Sequence, residues 1–205
     1  IREKIALFCN VPKKHVIENR DMPTLYEIPL ALEKEGLAEI AIRQLHLKCS
    51  APDLTDWVAM VERNRHLGRA VDIALVGKYV ELHDSYLSVA EALKHGGIEN
   101  DAQVRIHWLD SERITPENVE ETFQGIDGIL VPGGFGTRGV DGKIQAAKFA
   151  REQKVPYFGI CLGLQIAIIE FARNVLRMEG ASSTEFNPDT PYPVIDLMLD
   201  QKDVS

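Results

Sequence analysis

The sequence lacks several features that would each place the protein in a particular class. Its 205 residues contain no apolar run near the roughly 20 residues that a transmembrane helix needs, and they open on no signal peptide. The only three cysteines, Cys9, Cys49 and Cys161, are widely spaced, which indicates neither a disulfide framework nor a cysteine metal site. There is no basic excess either, because the formal net charge is -8. We therefore expect a cytoplasmic protein that binds neither a membrane nor a nucleic-acid polymer.

Two regions with different patterns of predicted secondary structure follow one another along the chain. Residues 1–49 predict one strand over 4–11 and two short helices near 25–32 and 37–45. So few strands cannot form a core, so this region is expected to complete a larger domain. Residues 50–69 predict a linker that contains one amphipathic helix.

From residue 70 to residue 205, predicted strands alternate with predicted helices. The strand candidates are 71–76, 104–109, 128–131, 155–160 and 193–199, and the helix candidates begin near Asp84, Thr115, Asp141 and Gln165. This alternation predicts right-handed βαβ units, and hence an α/β fold with a parallel sheet and flanking helices. In such a sheet the ligand site lies at the carboxyl ends of the strands.

The clearest chemical motif is Gly159-Ile160-Cys161-Leu162-Gly163, between a predicted strand and a predicted helix. Glycine on both sides of a central nucleophile is typical of a nucleophile elbow. The helix N-terminus favours a thiolate at Cys161, and the free N–H of Leu162 is placed to stabilise an oxyanion. A buried structural cysteine in a glycine-rich turn is the alternative. The strand-helix context favours a nucleophile that attacks an amide.

A second loop, Pro132 to Gly139, follows the strand that ends at Val131. Adjacent glycines there allow backbone N–H groups to turn inward, as an oxyanion hole requires. Gly134, Gly136 and Gly139 also match a dinucleotide fingerprint, but that fingerprint needs an acidic residue about 20 positions later. The next strand ends at Cys161 without one, so nucleotide binding is not expected at this loop.

A third loop, Val76 to Tyr79, leads into Asp84 and Tyr86. The simplest interpretation is a surface loop whose Asp84 caps the next helix. A ligand-sensing role is the alternative, and the sequence leaves both open.

A thiol nucleophile normally needs a histidine base that is oriented by a carboxylate. All six histidines precede Cys161, and none lies in a segment that clearly returns to the elbow. His83 or His95 would have to swing over to act. The base is therefore expected to be missing from this chain.

At this point the residues resemble a known family. PGGFGTRG and FGICLGLQ are similar to the glutaminase domain of class I, triad-type glutamine amidotransferases. With VGKYVELHDSYLSVAEALKHGG, MEGASSTEF, IALFCNV and RDMPTLYEIPLALEKEGL, nearly the whole chain resembles the CTP synthase family. The resemblance implies a Rossmann-like glutaminase fold for 70–205, and the C-terminal remnant of a P-loop-type α/β amidoligase domain for 1–49.

The family's activity is the amination of UTP to CTP with ATP, Mg²⁺ and ammonia from glutamine. GTP activates the enzyme, CTP inhibits it, no prosthetic group is needed, and a homotetramer is the usual form. The resemblance implies that Cys161 forms a glutamyl thioester. The glutamine-binding and oxyanion residues would be Gly134, Leu162, Gly163, Leu164, Gln165 and Glu185, with Glu185 receiving the α-amino group. Arg20, Asp21 and Met22 would border the ATP adenine, and Phe135 and Arg138 would contribute to a GTP-responsive lid.

Departures from the family pattern lie at both ends of the chain. The family's phosphate-binding loop, magnesium carboxylates and UTP residues are expected before Ile1, and its His-Pro-Glu motif after Ser205. We therefore expect a fragment that holds no metal itself, makes no CTP and hydrolyses glutamine poorly. Another cysteine hydrolase with the same elbow and a non-catalytic interaction module remain the alternatives.

Overall fold

The computed structural model describes residues 1–198, which form two compact units, one of Ile1–Leu67 and one that begins at Gly68. The predicted division into an amidoligase part, a linker and a glutaminase part stays a prediction. Within the described residues, no helix is both long enough and apolar enough to cross a lipid bilayer.

The first unit is helical. Its α-helices are α1 (Arg2–Phe8), α2 (Ile28–Lys34), α3 (Leu37–Gln44) and α4 (Thr55–Arg65), with 3₁₀ turns at Lys13–His15 and Leu25–Glu27. The strand predicted over residues 4–11 is wrong, because α1 occupies most of that segment. An apolar run cannot by itself distinguish a strand from a helix. Among the described residues of this unit no strand is available for pairing, and a helix satisfies the backbone locally.

Helix α4, which the sequence places in a linker, packs within the first unit. The Trp57 indole Nε1 donates to the carbonyl oxygen of Tyr26 at 2.7 Å. The Arg65 guanidinium lies 2.8 Å from the carboxylate of Glu27, whose side chain is buried. A buried carboxylate with an arginine partner ties the helix to the segment before α2.

The second unit is built on a four-stranded parallel sheet. The strands are β1 (Arg69–Gly77), β2 (Ala102–Asp110), β3 (Gly128–Val131) and β4 (Tyr157–Gly159), in the order β2-β1-β3-β4. The helices are α5 (Leu87–Glu99), α6 (Val119–Thr122), α7 (Val140–Gln153) and α8 (Leu162–Asn174). A separate parallel pair consists of β5 (Ser182–Ser183) and β6 (Pro193–Ile195). The α/β fold is confirmed; the predicted strand 193–199 ends at Ile195, and Leu199 lies outside the described residues.

Two of the predicted helices, near Asp84 and Thr115, begin a few residues later than predicted, α5 at Leu87 and α6 at Val119. The segment that begins at Thr115 is a turn, in which the Thr115 N–H donates to Asn118 Oδ1 at 2.8 Å, and α6 begins only after it. Asp84 caps no helix, because a 3₁₀ turn over His83–Tyr86 precedes α5, which has no side-chain cap. In both places a polar side chain indicated a cap, but local turn hydrogen bonds form instead.

The core lies on both faces of the central strands. Ala74 and Val76 of β1 pack with Ala146 and Ala150 of α7 on one face. The alternate residue Leu75 points to the other face and packs with a cluster that includes Tyr86. Since successive side chains of a strand point to opposite faces, β1 is covered on both sides.

Strand β3, strand β4 and helix α8 approach each other more closely than side chains would allow. A Cβ added to Gly163 would lie 2.1 Å from the carbonyl oxygen of Val131. A Cβ added to Gly159 would lie 2.3 Å from the carbonyl carbon of Gly163. These two glycines therefore allow α8 to begin directly at the strand ends.

We expect Gly163→Ala to lower the free energy of unfolding of the second unit by about 3 kcal/mol, because the new methyl group meets backbone atoms that cannot move aside. Gly96→Ala is the matched control, since Gly96 also lies in a helix but has open space around its Cα. The control should raise the free energy of unfolding by roughly 0.5–1 kcal/mol. The measurement is urea denaturation followed by tryptophan fluorescence. In a Trp57→Phe background this signal comes from Trp108 of the second unit. Equal effects of the two substitutions would contradict the close packing.

Candidate functional site

Cys161 lies between β4 and α8 with a backbone conformation that L-residues rarely adopt, φ 54° and ψ −106°. Four backbone hydrogen bonds surround it. Ile160 N donates to Val131 O at 3.0 Å and Gly163 N donates to Ile160 O at 2.9 Å. Leu164 N and Gln165 N both donate to Cys161 O, at 3.0 and 3.2 Å. A strained residue persists only where its surroundings fix it, so these bonds hold the turn at Cys161, which we call the elbow, in place.

The side chain of Cys161 is exposed to solvent rather than buried in the core. The double glycine lies beside it: a Cβ added to Gly133 would be 3.5 Å from the Cys161 Cβ, and one added to Gly134 would be 3.4 Å from Leu162 Cδ2. The Leu162 N–H, at the start of α8, donates to no residue in the described part of the chain. The thiol, an unused N–H donor and the glycine-rich loop therefore share one small region.

Glu185 reaches the same loop from the segment after β5. Its Oε1 accepts a hydrogen bond from the N–H of Gly136 at 3.0 Å, and its own N–H donates to Ser183 Oγ at 3.2 Å. The structure thus brings the predicted α-amino acceptor close to the loop that borders Cys161.

The remaining predicted glutamine-binding residues differ in whether their backbone or their side chain can contact a ligand. The Leu162 side chain is buried in a cluster with Ile166 and Ile169, and Gly163 is buried too, so both can offer only backbone groups. Leu164 is exposed and Gln165 is partly exposed, so their side chains can reach a ligand.

The third loop, Val76 to Tyr79, contacts the glycine-rich loop. Sequence analysis did not predict this contact. The Lys78 ammonium donates to the carbonyl oxygen of Phe135. The Tyr86 hydroxyl accepts from the N–H of Lys78 at 3.1 Å, and the Arg138 guanidinium lies 5.2 Å from the Tyr79 ring centroid. The predicted ligand-sensing role of this loop stays a prediction.

No histidine of residues 1–198 is hydrogen-bonded to the Cys161 thiol. His83 stacks on Trp108 with 4.3 Å between ring centroids. His107 lies on β2, which is the edge strand opposite β4, and its Nε2 is 2.6 Å from Asp72 Oδ1. Within the described residues, this turn therefore has an exposed thiol and a backbone N–H without an acceptor, but no histidine bonded to the thiol.

The predicted ATP residues lie in the first unit. Arg20 and Met22 line a cleft of about 490 Å³ that also contains Leu30, whereas Asp21 is exposed and does not line it. The Arg20 guanidinium donates to Glu18 at 2.9 Å, and this bond holds the pKa of the Glu18 carboxyl below its usual range. The apolar wall suits an adenine ring. The cleft is also lined by three carboxylates, of Glu18, Glu27 and Glu35, and by three cations, of Arg20, Lys34 and Arg65, so the formal charges of its lining balance.

No group of three or more histidine, cysteine, aspartate or glutamate side chains in the described residues is arranged to hold a metal ion.

Lys143 is a buried cation on α7, the helix that follows the glycine-rich loop. Its side chain, on α7, is 2% exposed. Burial lowers its pKa to about 8, with repulsion from Lys78 and Arg138 adding to the effect and Glu112 opposing it. Sequence analysis missed Lys143, although Val140, Lys143, Ile144 and Ala147 share one helical stripe, which is the signal that marks a buried position.

We expect Lys143→Met to stabilise the second unit at pH 7 by about 3 kcal/mol, because the folded parent must either bury a charged ammonium group or deprotonate it. The unfolded chain binds more protons than the folded one between pH 8 and the ordinary lysine pKa of 10.5. The parent therefore gains stability as the pH rises through that window, and the advantage of the variant should shrink by pH 10.

Urea denaturation of parent and variant at pH 7 and pH 10 measures this difference. Lys148→Met, a partly exposed lysine of the same helix, is the control and should change the free energy of unfolding by less than about 1 kcal/mol at either pH. A Lys143→Met advantage that stays constant with pH would contradict the assignment.

Two protein-family models match the chain. The model described as glutamine amidotransferase class-I matches residues 81–188, and the model described as CTP synthase N-terminus matches residues 1–47. In the first match lie Cys161, the glycine-rich loop and Glu185; in the second lie Arg20 to Met22.

Curated relatives extend the similarity to the whole chain. CTP synthase from Clostridium kluyveri is 59% identical over 204 residues, which cover 100% of this chain and 38% of the relative. CTP synthase from Halalkalibacterium halodurans is 60% identical with the same coverage. The chain thus spans about two fifths of the length of the curated relatives it matches.

A solved structure shares the fold. The glutaminase domain of CTPS from Trypanosoma brucei, with acivicin bound, superposes with a TM-score of 0.61 and 42% sequence identity, covering 65% of this chain and 52% of that chain. Since the glutamine amidotransferase model matches more than half of the residues, the chain belongs to the class-I glutamine amidotransferase family.

Proposed function

We propose that this chain is part of a glutamine-hydrolysing CTP synthase and carries its glutaminase nucleophile, Cys161. The observation that carries the proposal is the exposed thiol on a strained elbow, beside the double glycine and at the start of α8. The 59% identity to a CTP synthase over the full chain supports the same function. Because the chain spans only part of its relatives, the complete activity belongs to a longer polypeptide.

The geometry suits acyl transfer from an amide. The Cys161 sulfur anion attacks the side-chain carbonyl carbon of glutamine, a C–S bond forms, and the carbonyl electron pair moves onto oxygen. The Leu162 N–H is free to stabilise that oxyanion, with the backbone near Gly134 as its partner. The C–N bond then breaks and ammonia leaves with an added proton. Water hydrolyses the thioester to glutamate and restores the thiol.

Proton transfer in these steps needs a base that the described residues do not bring to the thiol. We propose that a histidine and a carboxylate from another part of a longer polypeptide complete the site. The isolated chain would then form the thioester slowly and turn over poorly.

Glu185 would select an amino acid over a simple amide. Its Oε1 is bonded to Gly136 N–H, which leaves Oε2 for the α-ammonium group of glutamine. A hydrogen bond between an ammonium and a carboxylate is about twice as strong as a neutral one. One oxygen of Glu185 would then hold the loop while the other binds the substrate.

The remaining ligands follow from the same proposal. The adenine of ATP would border Met22 and Arg20, while the triphosphate, Mg²⁺ and UTP would be held by residues of the longer polypeptide. When bound, ATP with Mg²⁺ supplies the phosphoryl group that activates UTP for amination. GTP would activate the enzyme, near Phe135 and Arg138, CTP would inhibit it, and the complete protein would act as a cytoplasmic homotetramer.

We expect the glutamine-like electrophile 6-diazo-5-oxo-norleucine to modify Cys161 faster than Cys9 or Cys49, which are also exposed. Excess glutamine should protect Cys161 alone, because it would occupy the pocket beside the elbow. Peptide mass spectrometry measures the three rates in one sample. Modification of Cys161 that is indifferent to glutamine would indicate a different cysteine hydrolase.

Glu185→Gln should raise the glutamine concentration needed for protection by at least about tenfold, since a charged hydrogen bond is lost. The control is Glu179→Gln, an exposed glutamate of the segment before β5, which should leave protection unchanged. Equal protection in the two variants would exclude Glu185 as the α-amino acceptor.

A further inference from the structure

Tyr157 is a half-buried residue of β4 whose hydroxyl reaches the helix that carries the nucleophile. Its OH donates to the carbonyl oxygen of Gly163 at 2.8 Å. Burial raises the pKa of this phenol above its usual range, with the Glu170 carboxylate adding to the effect, so the hydroxyl keeps its proton at neutral pH. The hydroxyl is thus a fixed donor to the first turn of α8.

The bond to Gly163 continues into the nucleophile through the backbone. The carbonyl of Gly163 and the N–H of Leu164 belong to one peptide group, and that N–H donates to the carbonyl oxygen of Cys161 at 3.0 Å. A donor at one end of a peptide group polarises it and strengthens the bond at its other end. Tyr157 is therefore linked to Cys161 through a single peptide.

The carbonyl of Cys161 in turn determines the direction of the oxyanion donor. Because a peptide group is planar, the Cys161 carbonyl and the Leu162 N–H point in opposite, fixed directions. Holding the carbonyl in place thus aims the Leu162 N–H, and it also maintains the strained φ of 54° at Cys161. Without such support the elbow could relax and turn the N–H away.

We propose that the Tyr157 hydroxyl is a positioning group for acyl transfer, which aims the Leu162 N–H at the oxyanion through the Gly163–Leu164 peptide and the Cys161 carbonyl. The inference rests on the proposed role of Cys161 as an acyl-accepting nucleophile. It does not depend on the glutamine pocket. Tyr157 never touches the substrate and acts only through the backbone of the elbow.

Two reactions of the same thiol separate this role from packing. Acylation by p-nitrophenyl acetate passes through a tetrahedral oxyanion: the sulfur bonds to the acetyl carbon, and p-nitrophenolate leaves without needing a proton. Alkylation by iodoacetamide displaces iodide at a saturated carbon and forms no oxyanion. A misdirected Leu162 N–H should slow only the first reaction.

We expect Tyr157→Phe, in this 205-residue chain, to slow acylation of Cys161 about tenfold while its alkylation stays within about twofold. Tyr192→Phe, a half-exposed tyrosine of the same unit, is the matched control and should change neither rate. Peptide mass spectrometry assigns both products to Cys161, with Cys9 and Cys49 as internal references. The urea midpoint of each variant reports its folding.

Unchanged acylation in Tyr157→Phe would overturn the proposal. An equal loss of both reactions, with a lower urea midpoint, would also overturn it, because the tyrosine would then only stabilise the fold. Failure of glutamine to protect Cys161 in the parent chain is a separate outcome, which would contradict the proposed glutaminase function. The role of Tyr157 would still be decided by comparing the rates of acylation and alkylation of Cys161.

Discussion

The close approach of β3, β4 and α8 is the constraint on which the site depends. Gly159 and Gly163 leave no room for side chains where the two strands meet the helix, so α8 begins within three residues of the end of β4. Cys161 thereby lies at the carboxyl edge of the sheet and at a helix N-terminus at once. A wider separation of strand and helix would insert a loop, and the thiol would lose the adjacent backbone donor.

The glycine-rich loop owes its position to contacts from three separate segments. Lys78 holds the Phe135 carbonyl from the end of β1, and Glu185 holds the Gly136 N–H from beyond β5. Arg138 lies 3.6 Å from Glu112, which follows β2. Parallel strands end at one edge, so segments distant in sequence can meet there. Glycine loses more conformational freedom on ordering than other residues do, so a glycine-rich loop needs several such contacts to hold one conformation.

The sequence indicated the local part of the site better than its surroundings. The glycine spacing around Cys161 and the strand-helix alternation were sufficient to predict the elbow and the parallel sheet. The helix at Arg2–Phe8 could not be predicted from its apolar run, because that pattern suits a strand equally well and the choice depends on partners. Burial of Lys143 and the bond from Tyr157 to Gly163 depend on tertiary packing. Helical periodicity could have flagged the first, but no sequence pattern reveals the second.

The backbone conformation of Cys161 lowers the stability of the fold, and this cost is unavoidable as long as a thiol is kept at this position. At φ 54° a residue with a side chain carries a conformational cost, on the order of 1–3 kcal/mol, that glycine avoids. The thiol must nevertheless be attached at this position if it is to stand at the head of α8. The most stable sequence for this turn would therefore have glycine at position 161 as well as at 159 and 163, and it would lack the thiol.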